Sequence, residues 1–122
     1  MRHLAFAALL GVAGCITPSI PIPPPDPTEM MFHLTVTDTV SSAVFTYPAT
    51  QNYKNSVAYV FDRDTGQGVF QDTNVDGSIG PTLPLPAAAG DNVVVTIESG
   101  SQTVSTCVVL REGTQDPNAF CQ

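Results

Sequence analysis

Asn92-Val93-Val94-Val95-Thr96-Ile97-Glu98-Ser99-Gly100-Ser101-Gln102-Thr103-Val104-Ser105-Thr106-Cys107-Val108-Val109-Leu110 is the stretch that decides the fold class. Val93, Val95 and Ile97 share one phase of a two-residue repeat, and Val104, Val108 and Leu110 share one phase of a second. That period matches a pleated strand with one face buried, and branched side chains suit the pleat. Between the runs, Ser99-Gly100-Ser101 supplies residues that accept tight-turn geometry. The two runs are therefore expected to fold back on each other as a hairpin.

The same reading extends upstream. Phe32, Leu34 and Val36 alternate with His33, Thr35 and Thr37, and Ser42–Tyr47 is a second run. Val57, Tyr59 and Phe61 share one face of a third, and Gly68–Gln71 is a fourth. Ile79–Leu85 is broken by Pro81 and Pro84, which confines it to an edge or irregular strand. Asp64-Thr65-Gly66, Asp76-Gly77 and Gly90-Asp91-Asn92 supply turn chemistry between runs. No stretch after Met30 carries a helical stripe longer than two turns. About seven strands in about 90 residues predict an all-β protein, a small immunoglobulin-like β-sandwich over residues 30–122.

The chain opens differently. Arg2 and His3 precede an apolar run from Leu4 to Val12, and Val12-Ala13-Gly14-Cys15 closes it. The run is too short to span a bilayer, which takes about 20 residues, and has the form of a secretory signal. It resembles a bacterial lipoprotein signal with its lipobox. That resemblance implies removal of residues 1–14 and lipidation of Cys15, with a diacylglycerol on sulfur and a further acyl chain, such as palmitate, on the amine. More than one chain on a residue anchors stably where a single chain holds only marginally. Ile16, where an Asp would retain such proteins at the inner membrane, favours the outer membrane. Residues 15–29 hold six of the eleven prolines, in Thr17-Pro18-Ser19-Ile20-Pro21-Ile22-Pro23-Pro24-Pro25-Asp26-Pro27. Such a run favours polyproline II and is expected to act as a semi-rigid linker of some 30 Å.

Removal of the signal leaves three basic side chains, Lys54, Arg63 and Arg111, against eleven carboxylates, a net charge of −8. Nucleic acid needs a basic face and is excluded as a partner. An anionic membrane surface would repel the domain, so membrane contact falls to the lipid. Cys107 and Cys121 remain, and in an oxidising envelope they are expected to form a disulfide closing a loop of about 15 residues.

Asp72-Thr73-Asn74-Val75-Asp76-Gly77-Ser78-Ile79-Gly80, Leu83-Pro84-Leu85-Pro86-Ala87 and Gly90-Asp91-Asn92-Val93-Val94-Val95-Thr96-Ile97 resemble, in order, the bacterial immunoglobulin-like repeat family. Carboxypeptidase regulatory-like domains share the Asp-Gly turn and the strand run. Either resemblance implies a β-sandwich that serves as a spacer, adhesin or accessory module rather than one particular activity.

Asp72, Asn74 and Asp76 also match the opening of a calcium loop, with Gly77 and Ile79 at the positions expected of glycine and an apolar residue. Leu83 stands where the closing carboxylate belongs, so the expectation is a polar β-turn and no cofactor, with a weak calcium site on Asp72, Asn74 and Asp76 as the alternative. Asp62 and Asp64 would join this loop if their strands pair as a hairpin. Tyr47 and Tyr53 flank the polar loop Pro48–Ser56 and offer a platform for a sugar ring, against a bland role in packing. His33 has no clustered partner, and no Gly-x-Ser-x-Gly or Ser-x-x-Lys pattern occurs. The expectation is a lipid-anchored, non-catalytic envelope protein, structural or partner-binding. Its alternatives are a glycan- or calcium-binding surface module and, last, a small envelope enzyme.

Overall fold

The structure, a computed structural model, describes residues 20–121. The signal-like segment 1–14, Cys15 and residues 16–19 lie outside the described residues. The domain is all-β, a small sandwich of two four-stranded sheets. Its strands are β1 (Met31–Thr37), β2 (Val40–Thr46), β3 (Val57–Asp62), β4 (Gln67–Asp72), β5 (Leu85–Pro86), β6 (Asn92–Ser99), β7 (Gln102–Val109) and β8 (Gly113–Thr114). A 3-10 turn at Gln51–Tyr53 joins β2 to β3. One sheet runs β5-β2-β1-β8 and the other β4-β3-β6-β7, with antiparallel neighbours throughout. The chain changes sheet between β2 and β3, between β4 and β5, between β5 and β6 and between β7 and β8, an order compatible with an immunoglobulin-like sandwich.

The β6–β7 hairpin forms in the expected register, with Ile97 opposite Val104 and Ser99 opposite Gln102. Val93, Val95, Ile97 and Val108 are fully buried. The first sheet meets them with Phe32, Phe45, Ala43 and Leu85, also fully buried. Rings from one side facing Val, Ala and Ile from the other fill the roughly 10 Å between packed sheets. The broken run Ile79–Leu85 pairs as strand only at its ends, while buried Thr82 in its middle donates from N to Phe45 O and accepts at Oγ1 from Phe45 N. Ile79 bridges Tyr47, and Leu85–Pro86 pairs with β2.

Two expectations need correcting. On β3 the core phase is Ala58, Val60 and Asp62, while Tyr59 and Phe61 face outward. Both phases of this strand are apolar apart from Asp62, so periodicity alone does not choose between them. The proline-rich segment also does not stand clear of the domain over its described part. Gln102 holds both sides of Ile20–Ile22, donating from Nε2 to Ile20 O and accepting at Oε1 from Ile22 N. Tyr53 Oη donates to Pro23 O at 2.7 Å, Thr106 Oγ1 donates to Pro25 O at 2.6 Å, and Asp26 N donates to Tyr47 Oη. Pro25 is buried. Proline lacks an N–H but keeps its carbonyl, so a polyproline strip docks by accepting bonds from side chains. The described part of this segment, from Ile20 on, thus belongs to the folded body.

The C-terminal segment is likewise tied down. β8 pairs with β1, Phe120 bridges Val108, and Gln115 N donates to Pro27 O and Met30 O. Cys107 and Cys121 are joined as a disulfide with Cα atoms 5.3 Å apart.

Candidate functional site

The outer face of the β4-β3-β6-β7 sheet carries an aromatic cluster. Register places Tyr59 opposite Phe70 and Phe61 opposite Gly68. The Tyr59 and Phe70 rings stack with centroids 5.7 Å apart and planes 29° from parallel. Phe70 is 71% exposed, Phe61 44% and Tyr59 36%. Gly68 has no side chain to cover Phe61, and a Cβ there would come within 2.5 Å of Val60 O. A shallow depression of about 230 Å³ therefore opens between the two strands. Its polar border lies on β6 and β7. Thr96 and Ser105 share a hydroxyl–hydroxyl bond of 2.7 Å, and the Tyr59 hydroxyl reaches Glu98 Oε1 at 3.4 Å. An apolar shelf beside hydroxyls and a carboxylate can stack a flat apolar ligand face and bond to its rim.

Tyr47 and Tyr53 do not form a platform. Their rings are 8% and 1% exposed and meet each other, with centroids 5.5 Å apart. The 3-10 turn folds the polar loop over and carries Tyr53 inward, and Thr50 caps the turn by accepting from Asn52 N. Burial pushes both phenols up, while the Asp26 backbone N–H pulls Tyr47 back somewhat. Both hydroxyls are spent on holding the proline strip.

The Asp72 loop is a polar turn. Asp76 Oδ1 accepts from Ser78 Oγ at 2.6 Å and from Ser78 N at 2.9 Å, which holds this carboxyl below its usual range. Asn74 turns its amide nitrogen inward to donate to Ser78 Oγ and Gly80 O. Both bonds use the amide nitrogen and close the loop. Gly77, at φ +83°, lets the turn press against Thr50.

Asp62 and Asp64 do not join that loop. In the β3–β4 hairpin Asp62 pairs with Gln67 and Asp72 pairs with Val57, so the two acidic stretches sit at opposite ends, some 17 Å apart at about 3.4 Å per residue. Asp62 and Asp64 instead meet Asp91, from the turn before β6. His33 is exposed on β1, with Nδ1 3.3 Å from Glu112 Oε2. Glu112 Oε1 accepts from Leu34 N at 2.8 Å, and that bond, ahead of the His33 contact, keeps its carboxyl low.

Phe70 and Asp91 are the site residues that the sequence reading left aside. The register of β3 with β4 would have paired Phe70 with Tyr59. Asp62, the polar residue in the otherwise apolar phase of β3, marked a carboxylate forced toward the interior. Among the described residues no helix is long and apolar enough to cross a membrane. No protein-family model, curated protein or solved structure matches the chain.

Proposed function

We propose that this chain is a lipid-anchored, non-catalytic protein of the cell envelope, an immunoglobulin-like module that binds a partner through the outer face of its β4-β3-β6-β7 sheet. The signal-like N-terminus ending at Cys15 supports the anchor. The observation that carries the binding role is the Tyr59–Phe61–Phe70 cluster, three rings left in water on a flat sheet that already has a complete core beneath it. Contiguous exposed rings are unfavourable in water, and a partner that covers them recovers that free energy. The near-parallel stacking of Tyr59 and Phe70 beside Glu98, Thr96 and Ser105 favours a sugar ring as the second reading of the same face.

Intact-mass analysis of the membrane-extracted protein tests the anchor. Acyl mass on Cys15, and release to the soluble fraction on Cys15→Ser, are expected; an unmodified cysteine overturns it. A photo-crosslinking phenylalanine analogue at position 70 tests the face, with position 36 on β1 as the control. An adduct with one envelope component at 70 and none at 36 is expected, and equal labelling overturns the reading. The chain has no Trp, and Tyr47 and Tyr53 are interior, so Tyr59 is the exposed fluorescent reporter. Envelope glycan fragments that leave tyrosine emission unchanged refute the sugar reading alone.

A further inference from the structure

We propose that Asp62, Asp64 and Asp91 form a calcium site at the end of the sandwich where β3 turns into β4 and the chain enters β6. This goes beyond the partner-binding reading and is independent of it. Each residue brings a carboxylate oxygen within 4.8 Å of the other two. Calcium binds oxygen at about 2.4 Å, so oxygens in one shell lie no more than about 4.8 Å apart.

Three acidic groups on a turn are ordinary; Asp62 is not. It is the last inward residue of β3, in phase with Ala58 and Val60, and its side chain is fully buried. Oδ1 accepts from Asp64 N at 2.7 Å and Thr65 N at 3.1 Å, whereas Oδ2 is buried with no hydrogen-bond partner. An ionised oxygen shut away from water is strongly unfavourable unless a cation meets it or the carboxyl takes up a proton, and a dication held by all three carboxylates does the former. The described residues supply no cationic side chain at ion-pair distance. Among the described residues the only ion pair is His33–Glu112, and Arg63 is directed to Cys107 Sγ at 3.7 Å.

The other two carboxylates are fixed by backbone and remain open to solvent. Asp64 Oδ2 accepts from Asn92 N at 2.6 Å, and Asp91 Oδ2 accepts from Ala88 N at 3.0 Å. Asp64 is exposed and Asp91 half-buried, which leaves an open side for the waters that complete a shell of six to eight oxygens. A hard dication fits an all-oxygen donor set of this kind, and calcium tolerates its irregular geometry better than magnesium does.

The test uses the purified full chain, stripped with chelator and returned to calcium at fixed ionic strength near neutral pH. With a Kd of about 1 mM, as in extracellular modules, about 10 mM calcium raises Tm by ~5 °C. Equilibrium dialysis against radioactive calcium is expected to retain one ion per chain. Asp91→Asn and Asp64→Asn, which keep shape and lie outside the core, are expected to lose both responses. Asp76→Asn in the other acidic loop keeps them. Absence of both the Tm rise and retained calcium in the wild type overturns the site. So does a response that survives Asp91→Asn and Asp64→Asn, or one lost in Asp76→Asn alone. The wild-type dialysis decides the matter even where a variant fails to fold.

Discussion

Replacing Phe70 and Phe45 by alanine, one at a time, tests the register on which the aromatic face depends. Phe45 is fully buried between the sheets, with its ring centroid 4.9 Å from that of Phe32, whereas Phe70 is 71% exposed. A buried aromatic side chain removes on the order of 200 Å² from water, about 5 kcal/mol at 25 cal/mol per Å². Phe70 removes roughly three-tenths of that, ~1.5 kcal/mol including its stacking on Tyr59. A domain of this size is stable by about 5–15 kcal/mol, so Phe45→Ala removes about a third or more of it and Phe70→Ala about a tenth to a third. Urea unfolding followed by far-UV circular dichroism reads both midpoints. The gap should be about 3 kcal/mol, with the m-value unchanged. Equal losses would falsify the assignment, because a one-residue slip of β4 exchanges its inward and outward side chains.

Other expectations follow from local geometry. Gly77→Ala forces a Cβ within 1.8 Å of Thr50 O at φ +83° and should cost several kcal/mol, whereas Gly100→Ala, at φ +60° with no atom within 4 Å, should cost about 1 kcal/mol; thermal melts compare them. Reduction, or Cys107→Ser, opens a loop of 14 residues' separation and should cost about 3 kcal/mol, with protease cutting first between Asp116 and Phe120. Burial, and then the facing Asp91 carboxylate, push the Asp62 carboxyl from 3.8 up to about 6, against the pull of the Thr65 and Asp64 backbone N–H groups. The folded chain therefore holds a proton that the unfolded chain has lost. In chelated buffer stability should fall as pH rises from about 4 to above 6. The decline should vanish in Asp62→Asn, and urea midpoints at the two pH limits check it. Tyr53→Phe removes the bond to Pro23 O and should speed amide exchange at Ile22 and Asp26 while leaving β6 and β7 unchanged.

What could be read from the residues was what depends on neighbours in the chain. The β6–β7 hairpin is local: two clean two-residue repeats and one turn specify both register and buried face. Cys107 and Cys121 needed only proximity in a short loop. The aromatic face was hidden because Val57, Tyr59 and Phe61 compete with Ala58 and Val60 for the interior. The rings of Phe32 and Phe45 on the opposite sheet settle that competition by leaving room only for smaller groups. Tyr47 and Tyr53 read as loop aromatics because the 3-10 turn that carries Tyr53 inward has no apolar repeat of its own. The docking of the proline strip depends on Gln102 and Thr106, some 80 residues away, and Asp91 reaches Asp62 across two changes of sheet. Neither partner is visible in a local pattern.

The grip of Gln102 on Ile20 and Ile22 fixes which end of the sandwich lies beside Ile20. Five residue steps separate Cys15 from Ile20, a reach of at most about 18 Å. If Cys15 carries the proposed acyl anchor, the end of the sandwich that holds Ile20, with the Ser99–Gly100–Ser101 tip, is the one tethered nearer the lipid surface. The carboxylate trio, at the far end of β3 and β6, would then point away from the bilayer. Cations arriving from the aqueous side would meet it first, and the face of Tyr59, Phe61 and Phe70 runs along the body between the two ends.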